Sequence, residues 1–198
     1  MIIKSLHLEN IRSYKIQEFY FKEGMTLLSG DIGSGKSTVL LSIEFALFGL
    51  IRGSINGGAL LRHGERDGLV KLKFEIDKNL YEIERTLKKT SNGIVQDKCS
   101  ITVNGVKEQL TPIELKSKVL SLIGYPDDLV SKSKSLIFRY TVYTPQEEMK
   151  KIIFESADER LTKLRRIFGV DKYELIKNNA NNCKPRGMYQ VCLTKIFI

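Results

Sequence analysis

The chain has 198 residues, of which 42% are hydrophobic and 28% are charged, so it can bury a continuous core and is not expected to be disordered. Lys and Arg outnumber Asp and Glu by 32 to 23, and the formal charge of +9 allows a polyanionic partner without naming one. Three cysteines without CxxC spacing exclude a disulfide framework and a zinc site, and no apolar stretch is long enough to span a membrane. We therefore expect a soluble intracellular protein.

The first elements are predicted to be strands followed by a loop and a helix. Residues 2–8 alternate between apolar and polar, residues 14–21 follow a turn, and residues 25–28 form an apolar run typical of a buried strand. From Lys36 the apolar spacing becomes that of one helix face, and Gly49 is a suitable end for that helix. The predicted order is strand, loop, helix.

The middle of the chain is predicted to be an antiparallel meander. In residues 69–77 apolar side chains alternate with charged ones, which is the period of a strand with one buried face. Residues 77–79 can turn the chain into a partner strand. A further strand at residues 99–103 ends at Asn104-Gly105, which is a strong hairpin signal.

Helices whose N-terminal capping patterns are visible in the sequence are predicted after the meander. A Thr or Ser with a Glu three residues later marks a helix start at residues 111–114, 144–147 and 156–159. Residues 135–143 are predicted to be a strand that precedes the second of these starts. Residues 172–178 are predicted to begin another helix, which stops after two turns.

The strongest motif is the octapeptide GDIGSGKS at residues 30–37, which matches the phosphate-binding pattern GxxxxGK[ST]. Its glycines allow successive backbone N–H groups to converge on phosphate oxygens, at the positive end of the helix that follows. Lys36 then neutralises the outer phosphates, and the Ser37 hydroxyl ligates Mg²⁺. The sequence therefore predicts a site for a nucleoside triphosphate.

A self-contained P-loop enzyme also needs an acidic residue at the end of a second buried strand. No run of apolar residues ends in a suitable acid: Glu44 lies on the predicted P-loop helix, Asp77 ends an amphipathic strand, and residues 127–128 follow a turn. The sequence therefore predicts half of a nucleotide site.

Several segments together resemble the N-terminal half of the Rad-fifty/SbcC-type DNA double-strand-break repair ATPases, which are relatives of the SMC proteins. The resemblance is carried by the N-x-R-S of residues 10–13, the P-loop, and the ALFG of residues 46–49. It continues in the LRHG of residues 61–64, the strand end at residues 143–146, and the ERL to IFGV segment of residues 159–170. It covers about residues 1 to 180.

The resemblance implies the α/β fold with an antiparallel β-meander that forms the N-terminal lobe of an ABC-type P-loop ATPase head, here over residues 1–182. In this family a long coiled coil separates the two halves of the head, and the acidic strand and signature loop lie in the C-terminal half. Residues 183–198 contain a Pro-Arg-Gly segment and no acid, so we expect this tail not to be a native element.

The resemblance also assigns nucleotide-binding residues. Those of the P-loop are Gly30, Gly33, Ser34, Gly35, Lys36, Ser37 and Thr38. Arg12 and Ser13 would lie beside the phosphates, and Arg62, His63 and Gly64 would line the base or ribose side. Ile32 stands where the family usually has Asn, which leaves the backbone as the main phosphate contact.

Gln146 would be the Q-loop glutamine of this family. It lies in the first turn of a predicted capped helix just after a strand, where its amide oxygen can ligate Mg²⁺ and orient water. The expected catalytic residues are thus Lys36 and Gln146, and the expected metal ligands are Ser37 and Gln146. Without the resemblance, Gln146 is a solvated first-turn residue.

The resemblance further implies how the protein works. ATP binding would join two heads into a homodimer, each head completed by its own C-terminal half. The dimer would close on duplex DNA and control an Mre-eleven/SbcD-type nuclease, in the cytoplasm and nucleoid or in a nucleus. The chain would be an ATPase only when completed by that half. The basic residues considered for DNA contact, which solvated faces explain equally well, are Lys71, Lys73, Lys88, Lys89, Lys132, Lys134 and Arg139.

Three alternatives remain open at this point. An SMC or RecF-like chromosome ATPase would contain the same half-site. A free-standing P-loop kinase or GTPase is disfavoured by the missing acidic strand and by the lack of an NKxD segment. A non-catalytic, nucleotide-sensing fragment is the third.

Overall fold

The computed structural model describes residues 1–50, 57–124, 154–167 and 170–183. The chain divides into two units, Met1–Val130 and Ser131–Ile198. The strand expected at residues 135–143, the helix start at residues 144–147 and the tail beyond Cys183 lie outside the described residues. Within the described part of the chain, no helix is both long and apolar enough to cross a membrane.

The first unit contains a six-stranded sheet in the order β2-β1-β3-β4-β5-β6, in which all neighbouring strands are antiparallel. The strands are β1 (Ile2–Ile11), β2 (Tyr14–Tyr20), β3 (Asp67–Ile76), β4 (Asn79–Thr90), β5 (Gly93–Val103) and β6 (Val106–Leu110). The predicted meander is confirmed. The N-terminal hairpin joins it because β1 pairs with β3 as well as with β2.

Two tight turns connect the strands of the meander as the sequence predicts. Asp77 and Lys78, between β3 and β4, have φ angles of 49° and 65°. Asn104 and Gly105, between β5 and β6, have φ angles of 47° and 92°. Positive φ at both central positions is the geometry of a type I′ hairpin turn, whose twist matches that of the strands.

Three described helices accompany the sheet in the first unit: α1 (Lys36–Phe48), α2 (Gly57–Leu60) and α3 (Pro112–Ile123). Helix α1 packs on β1, β3 and β4 and also contacts α3. The core that they share consists mainly of apolar side chains, including Leu6, Leu8, Val39, Phe45, Leu47, Val70, Leu72, Phe74, Ile83, Ile101, Leu115 and Val119. Helix α1 ends at Gly49, as predicted, where a φ of 75° breaks the helix.

The prediction of a strand at residues 25–28 is wrong. This segment is irregular, and its side chains Met25 and Leu27 are 99% and 87% exposed. A short apolar run becomes a buried strand only when neighbouring strands accept its hydrogen bonds and cover both of its faces. Among the described residues, no strand pairs with this segment.

The second unit contains two described helices, α4 (Ala157–Ile167) and α5 (Asp171–Cys183). The start predicted at residues 156–159 is confirmed, because Ser156 and Glu159 form a reciprocal capping arrangement ahead of α4. The prediction that the last helix stops after two turns is wrong. Asn is only a mildly unfavourable helix residue, so the Asn-rich end of α5 continues the helix as far as Cys183.

Helix α3 begins with a complete capping box. The Thr111 hydroxyl accepts a hydrogen bond from the Glu114 backbone N–H at 3.3 Å, and the Glu114 carboxylate accepts from the Thr111 N–H at 2.9 Å and its hydroxyl at 2.8 Å. These bonds favour the ionised carboxylate and lower the pKa of Glu114 below its ordinary value of 4.5. The stability that the capping box gives to the start of α3 therefore depends on pH.

We expect Glu114→Gln to lower the melting temperature at neutral pH but not in acid. A folded-state pKa below the unfolded value gives stability that is present above the unfolded pKa and is lost as pH falls through the folded pKa. Thermal denaturation from about pH 7 to about pH 3 should therefore show the two melting temperatures converging. The same comparison in a Thr111→Ala background, which lacks the side-chain partner, is the control and should show a weaker pH dependence. A constant difference across the range would contradict the assignment.

Candidate nucleotide-binding site

The GDIGSGKS segment forms a loop that leads directly into α1. Gly30, Gly33 and Gly35 have φ angles of 148°, 84° and 98°, a region that residues with a Cβ rarely adopt. Gly35 is the N-cap of α1, and no side chain of the described residues caps the helix there. The first-turn N–H groups are therefore not occupied by a side-chain cap, as an anion at this end of the helix requires.

The side chain of Lys36 turns back onto its own loop. Its Nζ donates hydrogen bonds to the carbonyl oxygens of Gly30 and Asp31, both at 2.7 Å, and to the Ser34 hydroxyl at 3.3 Å. Among the described residues, these acceptors hold the ammonium beside the loop without a carboxylate partner. A bound phosphate would replace them with a stronger contact between opposite charges.

The remaining P-loop residues differ in exposure. Ser37 is exposed, so its hydroxyl is accessible for a metal ion. Thr38 is buried in the first turn of α1, where its carbonyl accepts a hydrogen bond from the Ser42 hydroxyl at 2.7 Å. Ile32 is fully exposed at the tip of the loop.

Two arginines from distant parts of the sequence join the β1–β2 turn to α2 and the residues that follow it. Arg12 Nε donates to the Ala59 carbonyl at 2.7 Å, and Arg62 Nη1 donates to the carbonyls of Arg12 and Ser13, both at 2.9 Å. The Arg12 N–H also donates to the Leu60 carbonyl at 3.0 Å. The structure thus brings Arg12, Ser13 and Arg62 together, as a clamp between the β1–β2 turn and the region of α2 and Arg62.

Predicted residues next to this clamp lie in an exposed turn. His63 and Gly64 follow Arg62 directly, and both are exposed. Gly64 has a φ of 91°. Neither residue has a hydrogen bond that ties it to the P-loop in the described structure, so their placement at a base or ribose remains a prediction.

Tyr14 connects this clamp to the P-loop and was not identified from the sequence. A Cβ placed on Gly35 would lie 2.7 Å from the Tyr14 hydroxyl oxygen and under 3 Å from the ring, so the ring packs directly on the loop. Phe19 supports the ring in an edge-on contact at 5.5 Å, and burial raises the pKa of the Tyr14 phenol. Its position directly after the N-x-R-S segment was the only available signal.

A metal ion at this site would depend on few protein ligands. Among residues 1–50, 57–124, 154–167 and 170–183, no three His, Cys, Asp or Glu side chains are grouped so as to hold a metal. The exposed Ser37 hydroxyl next to the loop fits Mg²⁺, which usually takes one or two protein oxygens and completes its shell with phosphates and water. Gln146 lies outside the described residues.

The lysines of the meander are partly neutralised. Lys71 Nζ lies 3.7 Å from the Glu84 carboxylate, and Lys73 Nζ lies 3.1 Å from that of Glu82, in both cases across the β3–β4 pair. Lys88 and Lys89, at the far end of β4, are exposed. The other basic residues considered for DNA contact, at positions 132, 134 and 139, lie outside the described residues.

We expect Gly35→Ala to destabilise the fold more than Gly33→Ala. Both positions have positive φ and carry a similar backbone cost of about 1–2 kcal/mol, but only at Gly35 does the new methyl group meet the Tyr14 ring. Urea denaturation measures the difference. In a Tyr14→Ala background the two substitutions should cost about the same, and an unchanged difference in that background would contradict the contact.

Comparison with known proteins gives relatives over most of the chain. The DNA double-strand break repair Rad50 ATPase of Methanococcus maripaludis is 27% identical over 99% of this chain, and that of Methanocaldococcus jannaschii is 25% identical over 88%. Arcadin-4 of Pyrobaculum calidifontis is 29% identical over 85%. The chain spans only 16% to 20% of the length of these relatives.

Two solved structures are also similar. The recombination mediator protein RecF is 21% identical over 88% of this chain and 54% of its own, with a TM-score of 0.47. The SMC head domain of Thermotoga maritima is 23% identical over 60% of this chain and 42% of its own, with a TM-score of 0.41.

The pattern that defines the AAA domain family matches residues 5–185. This match includes the P-loop, the arginine clamp and the whole meander, and the relatives confirm the resemblance to Rad-fifty-type ATPases that the sequence predicts. Because the match covers most of the chain, the protein belongs to the AAA domain family.

Proposed function

We propose that this chain is the ATP-binding half of an ABC-type ATPase head that acts in DNA double-strand-break repair. The observation that carries the proposal is the GDIGSGKS loop, whose three glycines with positive φ lead into a helix that lacks a side-chain N-cap. Lys36 lies at this helix end, and the acceptors of its ammonium group in the described part of the chain are neutral. This combination suits the triphosphate of a nucleotide.

In this proposal each site residue has a defined role. The backbone of residues 33–38 binds phosphate oxygens, and Lys36 neutralises the outer phosphates. Ser37, with Gln146, ligates the Mg²⁺ ion, which supplies charge neutralisation to the phosphates when bound. Arg12 and Ser13 contact the phosphates from the clamp side, while Arg62, His63 and Gly64 border the base or ribose.

The exposed apolar residues ahead of the loop suggest that the head is completed by a further segment. Met25 and Leu27 occupy the place where a P-loop protein has a buried strand, yet both side chains are almost fully exposed. A strand from a C-terminal half would cover them and could bring the acidic residue that the nucleotide site lacks. Hydrolysis would then require both halves.

The DNA-related part of the proposal rests on the relatives and on charge. The relatives named as DNA double-strand break repair ATPases align with most of this chain, and the chain carries a formal charge of +9. By this analogy two heads dimerise through bound ATP, hold duplex DNA through its phosphates, and control an Mre-eleven/SbcD-type nuclease. An SMC or RecF-like ATPase would have the same half-site but would not bind this nuclease.

We expect Lys36→Ala to weaken ATP binding by roughly tenfold or more, since a charge-assisted hydrogen bond contributes about 1.5–3 kcal/mol. Calorimetry with Mg²⁺ present measures the affinity. Lys22→Ala, which removes an exposed lysine outside the loop, is the matched control and should bind like the wild type. Equal ATP affinity of Lys36→Ala and the control would contradict the proposal that the P-loop binds ATP.

We expect the chain alone to hydrolyse ATP negligibly and a supplied C-terminal half to restore turnover. Leu27→Asp should block this restoration while leaving ATP binding by the chain alone intact, because it places a charge where the second half would pack. Val106→Asp, at the exposed start of β6, is the control. Turnover on the order of 1 s⁻¹ by the chain alone, abolished by Lys36→Ala, would show that the half-head proposal is wrong.

A further inference from the structure

One arginine lies entirely inside the protein. Arg85 is in the middle of β4, between the buried residues Ile83 and Leu87, and none of its surface is exposed. Arginine is almost never fully buried unless its guanidinium group has partners. The identity of these partners indicates what the residue does.

The partners of Arg85 are the last carbonyl groups of α1. Its Nε donates to the Ala46 carbonyl at 2.6 Å, and its Nη2 donates to the Leu47 carbonyl at 3.1 Å. The final carbonyls of a helix have no partner within the helix, and water does not reach them in the core. Arg85 therefore satisfies the C-terminal end of the P-loop helix from the neighbouring sheet.

The surroundings of this contact leave little freedom for movement. A Cβ on Gly49 would lie 2.8 Å from the Gln96 Oε1 atom and 3.3 Å from Arg85 Nη1, so only glycine fits at the end of α1. Gln96 also donates to the Cys99 sulfur at 2.8 Å, and Arg85 Nη1 lies 4.0 Å from that sulfur. The helix end is held by side chains of both β4 and β5.

Arg85 keeps its charge in this position. Burial lowers its pKa to about 10, and Cys99 opposes the shift. The side chain is therefore protonated at neutral pH, and a positive charge at a helix C-terminus interacts favourably with the helix dipole. An apolar side chain at this position would supply neither the charge nor the donors.

The other end of α1 leads directly into the P-loop. Within the described residues, the segment that precedes this loop is not part of the sheet, and the Tyr14 ring packs on Gly35. A helix of 13 residues is a stiff rod of about 20 Å, so a shift or tilt at one end is passed on to the other. The location of Lys36 and Ser37 thus depends on how α1 is held on the sheet.

We propose that Arg85 is a positioning residue for the nucleotide site, which acts through α1 without touching the ligand. The inference rests on the proposed function, because it assumes that the loop binds a nucleotide. Through Arg85 on β4, the meander would help to set the position of the P-loop. A residue that served stability alone would change the unfolding free energy without changing the nucleotide affinity of the folded protein.

The test compares ATP affinity with stability in matched variants. Arg85→Met keeps an unbranched aliphatic stem and removes the donors, whereas Arg85→Lys keeps the charge and one donor group. Ile83→Val and Ile83→Ala remove core carbon atoms two residues away on the same face of β4, and so give a range of stability losses while keeping the Arg85 donors to the helix end. ATP affinity is measured by calorimetry, and stability by urea denaturation.

Arg85→Met should weaken ATP binding by about tenfold, Arg85→Lys by less, and the Ile83 variants by no more than about twofold at a similar loss of stability. If Arg85→Met does not fold, Arg85→Lys decides by the same comparison. Wild-type affinity in the folded Arg85 variants, or an equal loss in the Ile83 variants, would overturn the inference and leave the proposed function intact. Absence of ATP binding by the wild type would instead overturn the proposed function.

Discussion

Helix α1 has to satisfy opposite requirements at its two ends. At its N-terminus the proposed function needs N–H groups that are available to an anion, and within the described residues Gly35 leaves that end without a side-chain cap. At its C-terminus the last carbonyls lie in the core and need donors other than water, which Arg85 supplies from β4. The N-terminal end of α1 is thus left open, while its C-terminal end is satisfied from the sheet. The sheet, Gly49 and the P-loop together meet these two requirements.

Features encoded by neighbouring residues could be predicted from the sequence. The type I′ turn at Asn104-Gly105 and the capping box of Thr111 and Glu114 depend on residues within three positions of each other, and both were found as expected. The contacts that organise the site join residues far apart: Arg62 lies 49 residues from Ser13, and Arg85 lies 39 residues from Ala46. No local pattern distinguishes such an arginine from a solvated one.

The two wrong predictions have different origins. The run at residues 25–28 has the composition of a strand, but strand formation depends on partners that the described residues do not provide. The end of α5 was predicted too early, because no Gly or Pro occurs before Cys183 in that helix and Asn is only mildly unfavourable there. The first segment thus lacks its partners, whereas the second follows the helix preference of its own residues.

The exposed segment ahead of the P-loop also separates binding from hydrolysis in the proposed head. Burying a side chain such as Leu27 stabilises an assembly by about 1.5–3 kcal/mol, so the strand that covers this segment would gain affinity from the same residues that lead into the loop. If that strand also carries the acidic group, its docking would complete the fold and the catalytic site at the same time. The loop alone interacts with the ground state of the nucleotide, and such binding does not accelerate a reaction unless groups that stabilise the transition state are present. ATP binding would then be a property of this chain, and turnover a property of the assembled head.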